Sequence, residues 1–190
     1  MRYKAVVIGT SYGGLEALKI ILSKLGHDFP LPIIVVLHIG ENNNDVFINY
    51  LNSICILQVK EADCNETIRK GFIYFAPPNY HLLIESNSTF SLTAERKHNY
   101  SRPSIDILFE SAAWAYTKSL IGVVLTGANS DGAIGLKLIK EFGGMTIVQN
   151  PDTALSTEMP LSAIRIASPE IVLQLEDIAG VLSVLSHTRK

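Results

Sequence analysis

A serine stands in a glycine-rich turn near the start of the chain. Ser11 lies within the sequence GTSYGG (residues 9–14), directly after the apolar run of residues 5–8. Glycines beside a serine let the backbone bend sharply and leave the hydroxyl uncovered, and the first amides of a following helix point at any anion that forms there. The turn therefore predicts either a nucleophilic serine or a loop that only binds phosphate or reverses the chain.

The turn departs from the two nucleotide-binding motifs of similar shape. A P-loop has Lys followed by Ser or Thr after its last glycine, where this chain has Leu15 and Glu16. A dinucleotide-binding turn has glycine at the position of Ser11 and an acidic residue at the end of the second strand, where this chain has His38. Nucleotide binding is therefore the weaker interpretation.

Two further residues that suit hydrolysis follow other predicted strands. His38 closes the second strand, and Asp131 follows the strand predicted over residues 121–125. Ligand sites of open parallel sheets lie beyond the carboxyl ends of the strands, so we expect Ser11, His38 and Asp131 at one edge. These residue types can serve as a nucleophile, a general base and the carboxylate that orients the base.

Each candidate also has a structural interpretation. His81, at the start of a predicted hairpin, is the rival base but is more simply a buried histidine with local hydrogen-bond partners. Asp131 also suits a helix N-cap, a role compatible with orienting the base. His38 alone would be interpreted as a core histidine. The other histidines are predicted at the opposite edge or in solvated segments: His27, His98 and His187. The convergence of three residue types at one edge favours catalysis.

Alternating strand-like and helix-like segments must position these residues. Strands are predicted near residues 4–9, 31–37, 72–76, 121–125, 145–149 and 171–175, and helices near 13–25, 45–53, 103–118, 131–142, 160–166 and the end of the chain. Residues 81–85 and 90–94 predict an antiparallel hairpin turned at 86–88. The pattern predicts an α/β fold, a doubly wound and mostly parallel sheet with helices on both faces.

Composition narrows the class of protein. The 190 residues, 47% of them hydrophobic, with a formal net charge of −2, predict one compact domain. We expect no nucleic-acid partner and no membrane insertion, because there is no basic face and no apolar run of about 18 residues. The short segment before the first strand is no secretion signal, so a cytoplasmic location is expected. Cys55 and Cys64 predict neither a zinc site nor a disulfide.

Several separated motifs resemble the catalytic domain of the bacterial chemotaxis protein-glutamate methylesterases of the CheB type. The resemblance runs from about Ala5 to about Leu185. The motifs are, in chain order, IGTSYGG (8–14), His38, GFIYFAPP (71–78) with HL (81–82), RPSIDILF (102–109), LTG (125–127) with DGA (131–133), and QN (149–150) with MP (159–160). Their occurrence together and in this order makes the resemblance specific.

The resemblance implies a serine hydrolase that demethylates glutamate methyl esters on the cytoplasmic helices of chemoreceptors and also deamidates receptor glutamines. It implies Ser11 as nucleophile, His38 as general base and Asp131 as the orienting carboxylate, with no metal or cofactor. A histidine kinase or a separate regulator protein is a further expected partner. The competing interpretation is a catalytically degenerate module that docks on the receptor or the kinase, and the intact set of three residues argues against it.

Backbone amides near Tyr12, Gly127 and Ala128 are the expected oxyanion donors. Tyr12 stands where the family usually has threonine, Ala128 where it often has methionine, and Glu158 where glycine commonly precedes Met-Pro. These differences concern substrate fit and oxyanion contacts. The family's usual form carries an N-terminal receiver domain over the active site, whereas residues 1–190 are predicted to be the catalytic domain alone, without a receiver domain.

Overall fold

A computed structural model describes residues 2–38 and 44–188 of the chain. Its strands and helices are β1 (Ala5–Thr10), α1 (Gly14–Leu22), β2 (Ile33–Leu37), α2 (Asn44–Ile54), β3 (Gln58–Glu61), β4 (Phe72–Phe75), β5 (His81–Ile84), β6 (Phe90–Thr93), α3 (Ile105–Tyr116), β7 (Leu120–Val124), α4 (Ala133–Glu141), β8 (Met145–Gln149), α5 (Glu158–Ala167), β9 (Ile171–Leu173) and α6 (Ile178–His187). Short 3₁₀ turns lie at Thr117–Ser119, Pro151–Thr153 and Leu175–Asp177.

Within these residues, the main sheet has the strand order β3-β4-β2-β1-β7-β8-β9, and every neighbouring pair is parallel. Strands β5 and β6 form a separate antiparallel hairpin. The predicted doubly wound α/β fold with one hairpin is therefore confirmed. None of the described helices is long and apolar enough to cross a bilayer.

Helices cover both faces of the sheet, which is why its central strands are continuously apolar. All residues of β1, β2 and β7 are buried. One face packs against α1, α2 and α6 through residues that include Leu18, Leu51 and Leu182. The other face packs against α3, α4, α5 and the hairpin through residues that include Phe109, Leu136, Ala163 and Leu82.

The structure differs from the predicted elements mainly at an edge and at helix starts. Strand β3 was not predicted, because an edge strand with only Val59 buried has no apolar run. Helix α3 begins after Pro103, with Ser104 as its N-cap, rather than at residue 103. Helix α4 begins after Gly132, whose φ of 93° lies outside the helical region, rather than at residue 131.

The loops that follow β1 and β7 meet at the point where the strand order reverses. Strand β1 pairs with β2 on one side and with β7 on the other, so the connections leave the two central strands in opposite directions. The loops are tied together because Leu125 N–H donates to Gly9 O at 3.0 Å and Ser11 N–H donates to Thr126 O at 3.0 Å. Such a reversal opens a crevice at the carboxyl ends of the strands.

Candidate active site

Ser11 lies at this crevice, between the end of β1 and the start of α1. Its carbonyl accepts a 2.8 Å hydrogen bond from Gly14 N–H, which closes the turn. Gly13 has a φ of 83°, and a Cβ at this position would lie 2.8 Å from Leu155 Cβ. Because of that conformation and that close contact, the turn requires glycine. The Ser11 side chain is half-buried, and no described residue forms a hydrogen bond with its hydroxyl.

His38 and Asp131 are in direct contact at the same edge. The His38 N–H donates to Thr10 O at 3.1 Å, which places the end of β2 beside the end of β1. His38 Nε2 lies 3.1 Å from Asp131 Oδ2, although the angle at Nε2 is not that of an aligned hydrogen bond. Catalytic hydrogen bonds of substrate-free enzymes are often poorly aligned and tighten when substrate binds. The arrangement can orient an imidazole near the serine turn.

Asp131 is fully buried and receives three hydrogen bonds from the start of α3. Ser104 Oγ donates to Oδ1 at 3.0 Å, Ile105 N–H to Oδ2 at 2.8 Å and Asp106 N–H to Oδ1 at 3.1 Å. Burial by itself raises the pKa of Asp131, but the donors from His38, Ile105 and Asp106 outweigh burial and lower it. Asp131 is therefore a fixed carboxylate at neutral pH.

The helix that Asp131 caps is different from the one expected from the sequence. Asp131 immediately precedes α4, but Gly132 is the N-cap of α4 and makes no side-chain cap. The carboxylate instead reaches the N-terminus of α3, where free amides and the helix dipole stabilise a negative charge. Gly135 makes this approach possible, because a Cβ there would lie 2.5 Å from Phe109 Cβ.

Asn129 contacts the other ring nitrogen of His38 and was not singled out from the sequence. Asp131 N–H donates to Asn129 Oδ1 at 3.0 Å, which turns the amide nitrogen toward His38 Nδ1 at 3.3 Å. Because an amide nitrogen only donates, Nδ1 is the acceptor and the ring proton lies on Nε2, facing Asp131. The basic lone pair of His38 is therefore on Nδ1. The spacing Asn-x-Asp in the loop after β7 was the available signal.

His81 has the structural role that its position favoured. It is completely buried. Its Nδ1 accepts from Ser104 N–H at 3.1 Å, and its Nε2 lies 3.1 Å from the Arg96 carbonyl, to which it donates. Burial lowers the pKa of His81, which keeps the ring neutral. Both ring nitrogens are occupied, so His81 is not placed to act as a base.

The three backbone amides proposed from the sequence as oxyanion donors differ in availability. Gly127 N–H already donates to Ser156 O at 3.2 Å, and a Cβ at Gly127 would lie 2.6 Å from Met159 Cε, so this glycine serves packing. Among residues 2–38 and 44–188, no group accepts a hydrogen bond from the amides of Tyr12 or Ala128. These two amides can donate to an oxyanion.

The cysteines lie apart from these residues. Cys55 is half-buried and Cys64 is exposed, and both are free. Burial raises the pKa of the Cys55 thiol to about 11. In the part of the chain that the structure describes, no three histidine, cysteine or acidic side chains are grouped to hold a metal ion.

A second buried carboxylate, Asp106, lies in the first turn of α3. It is 5% exposed, and Gly135 N–H donates to its Oδ1 at 2.7 Å. Burial, and to a smaller extent the negative charge of Asp131, raise the pKa of Asp106 to about 6, against the opposing effect of the Gly135 hydrogen bond. Asp106 thus titrates in a pH range in which Asp131 is already ionised.

Asp106→Asn should change how stability depends on pH. The folded protein binds this proton more tightly than the unfolded chain, so the Asp106 contribution is complete below pH 3.8 and is lost as the pH rises toward 6. Relative to the variant, the wild type should lose about 2–3 kcal/mol of unfolding free energy between pH 4 and 7. Urea unfolding of both proteins across this range measures the difference, and parallel profiles would contradict it. The lowered pKa of His81 makes stability rise with pH, but this effect is the same in the wild type and the variant and cancels in their difference.

The chain is similar to known proteins along most of its length. Residues 6–182 match the family model described as CheB methylesterase. A Leptospira interrogans protein is 52% identical over 179 residues, which are 94% of this chain and 93% of that protein. The Clostridium acetobutylicum protein-glutamate methylesterase/protein-glutamine glutaminase is 37% identical over 188 residues, which are 98% of this chain but 54% of that protein. The crystal structure of the Thermotoga maritima CheB methylesterase catalytic domain superposes with a TM-score of 0.93 at 34% identity, covering 97% of this chain and 100% of that domain.

Proposed function

Because the chain belongs to the CheB methylesterase family, we propose that it hydrolyses glutamate methyl esters on chemoreceptor helices with Ser11 as the nucleophile. The observation that carries the proposal is the contact between buried Asp131 and half-buried His38, beside the strand end that carries Ser11. Acyl transfer requires a fixed carboxylate, an imidazole of defined tautomer and a serine hydroxyl that is free to react; no described residue forms a hydrogen bond with the Ser11 hydroxyl.

In the acylation step, Ser11 Oγ attacks the ester carbonyl carbon while its proton passes to His38 Nδ1. Asp131 holds the Nε2 proton and stabilises the imidazolium that forms. The bond between the carbonyl carbon and the methoxy oxygen then breaks, and the leaving oxygen takes the proton from His38. The products of this step are methanol and a glutamyl ester of Ser11.

In the second step, water attacks the acyl carbon while His38 accepts its proton. The Ser11 Oγ–carbon bond breaks, the proton returns to Ser11 Oγ, and the glutamate carboxylate leaves. The oxyanion of both steps is stabilised by the free amides of Tyr12 and Ala128, each worth about 3 kcal/mol when aligned. A glutamine side chain is attacked in the same way and releases ammonia, which accounts for receptor deamidation as a second activity.

Ser11 must displace Asn129 from His38 Nδ1 before it can transfer its proton. Asn129→Asp should therefore lower turnover by about 10–100-fold, because a carboxylate at this position favours the tautomer with the proton on Nδ1 and removes the lone pair that acts as base. Asn129→Ala is the matched control and should keep turnover within a few-fold of the wild type. Nitrogen-15 NMR of the His38 ring reports the tautomer, and equal turnover of the two variants would contradict the assignment of Nδ1 as base.

Release of methanol from a receptor cytoplasmic fragment carrying isotopically labelled glutamate methyl esters tests the proposed function. We expect release by the purified chain, together with stoichiometric labelling of Ser11 by an active-serine phosphonate. Binding of the receptor fragment with neither release nor labelling would contradict the proposal. That result would support the alternative of a degenerate docking module on the receptor or kinase.

A further inference from the structure

A cavity of about 280 Å³ adjoins the candidate active site on the side of His38 away from the serine turn. Its lining includes Leu37 and His38 from the end of β2, and Lys97, Tyr100 and Arg102 from the loop before α3. Its volume lies at the lower end of small-ligand pockets, so it has room for an amino-acid side chain rather than a large cofactor. Neither Ser11 nor the amides of Tyr12 and Ala128 line it. The reacting ester therefore occupies a different space, and a second group of the substrate can occupy the cavity.

The described residues that line the cavity carry a net positive charge. Lys97 and Arg102 line it, and no aspartate or glutamate among the described residues does. Over residues 2–38 and 44–188, neither cation forms an ion pair with a carboxylate. Two cations with no carboxylate partner among the described residues favour an anionic ligand, and salt weakens this attraction because Lys97 is exposed to solvent.

Arg102 is held in place and still has donor capacity. Its Nη1 donates to Ala94 O at 2.7 Å and to Glu95 O at 2.8 Å, which fixes the guanidinium. Its Nε is buried and has no hydrogen-bond partner among the described residues. A ligand in the cavity cannot reach the buried Nε. The Nη2 is not buried and donates to no described residue, so it is the donor that remains available to a carboxylate.

We propose that this cavity binds the carboxylate of an aspartate or glutamate on the same substrate helix as the reacting ester. The inference rests on the proposed function and specifies which substrates the site prefers. Side chains three or four positions apart on a helix have Cβ atoms about 5–6 Å apart, so one can enter the cavity while its neighbour reaches Ser11. The acidic side chain thereby sets the register of the helix on the enzyme.

Two helical peptides that each carry one glutamate methyl ester test the inference. They differ only four residues from the ester, where one has glutamate and the other glutamine. With the wild-type chain, KM should be about tenfold lower for the glutamate peptide, as expected for a charge-assisted hydrogen bond, with kcat nearly equal. The preference should shrink as NaCl is raised from about 50 to 500 mM, because salt screens the attraction.

Variants of Lys97 distinguish charge recognition from general disruption. Lys97→Gln should reduce the preference for the glutamate peptide, and Lys97→Glu should reverse it in favour of a peptide with lysine at the same position. Lys70→Gln is the matched control, since Lys70 is exposed next to the start of β4 and thus at the opposite edge of the sheet. The rate of Ser11 labelling by a phosphonate should be the same in all three variants, because the probe does not need the cavity.

The outcomes separate this inference from the proposed function. Equal KM values of the wild type for the glutamate and glutamine peptides, with Ser11-dependent release from both, would overturn the inference alone. An unchanged preference in Lys97→Glu would also overturn it. No methanol from either peptide would overturn the proposed function, and this inference with it.

Discussion

Ser11→Ala should abolish methanol release from methylated receptor fragments while the domain stays folded. The expected loss is on the order of 10⁴–10⁶-fold, because the variant lacks the hydroxyl that is proposed to form the covalent intermediate. The fold should persist because the backbone hydrogen bonds of Ser11 to Thr126 and Gly14 do not use the side chain. Release is measured as labelled methanol, with circular dichroism and urea unfolding as checks of folding.

A matched serine variant makes the result specific. The hydroxyl of Ser53 donates to Tyr50 O on the solvent-exposed side of α2. Ser53→Ala therefore removes the same group at a position outside the candidate active site. Ser53→Ala should keep full activity and full phosphonate labelling of Ser11. Unchanged methanol release by folded Ser11→Ala would exclude the covalent mechanism.

Asp131→Asn should lower turnover by up to about four orders of magnitude, because an amide beside Nε2 favours the wrong imidazole tautomer. The variant should also lose about 1–3 kcal/mol of stability, since the donors Ser104 Oγ, Ile105 N–H and Asp106 N–H would face an amide that has a single acceptor oxygen. Turnover is therefore measured per folded molecule, below the temperature at which the variant begins to unfold.

Substitution of His38 and of His81 in turn distinguishes the proposed base from the structural histidine. His38→Gln should be at least as damaging to turnover as Asp131→Asn, because it removes the group that is proposed to accept the Ser11 proton. His81→Gln should be far milder, since glutamine can also accept from Ser104 N–H and donate to Arg96 O. An essential His81 with a dispensable His38 would show that the base has been misassigned.

The sequence predicted most of the sheet because buried parallel strands need apolar runs that are visible in one dimension. Residues 145–149 were predicted as a strand and form β8 with the same bounds. Strand β3 was not predicted from the sequence. It is a strand because it pairs with β4 at the edge of the sheet, and few of its own side chains are buried.

The sequence by itself also determined which residue types follow the central strands. Ser11, His38 and Asp131 follow β1, β2 and β7, and parallel strands bring their carboxyl ends to one edge whatever the details of packing. The structural role of His81 was favoured by the general rule that buried polar groups find partners. These inferences depend only on strand order and local chemistry.

Only the tertiary structure decided how each side chain is used. Asp131 accepts from the start of α3, 25 to 27 residues away in the chain, because the two segments pack closely across glycines. The Gly127 N–H donates to the Ser156 carbonyl, and the Asn129 side-chain amide donates to His38 Nδ1. Lys97 and Arg102 come to line a cavity beside His38, about 60 residues earlier in the chain. Such contacts join residues that are distant in sequence, and their hydrogen-bond partners are settled by packing geometry, which local pattern does not encode.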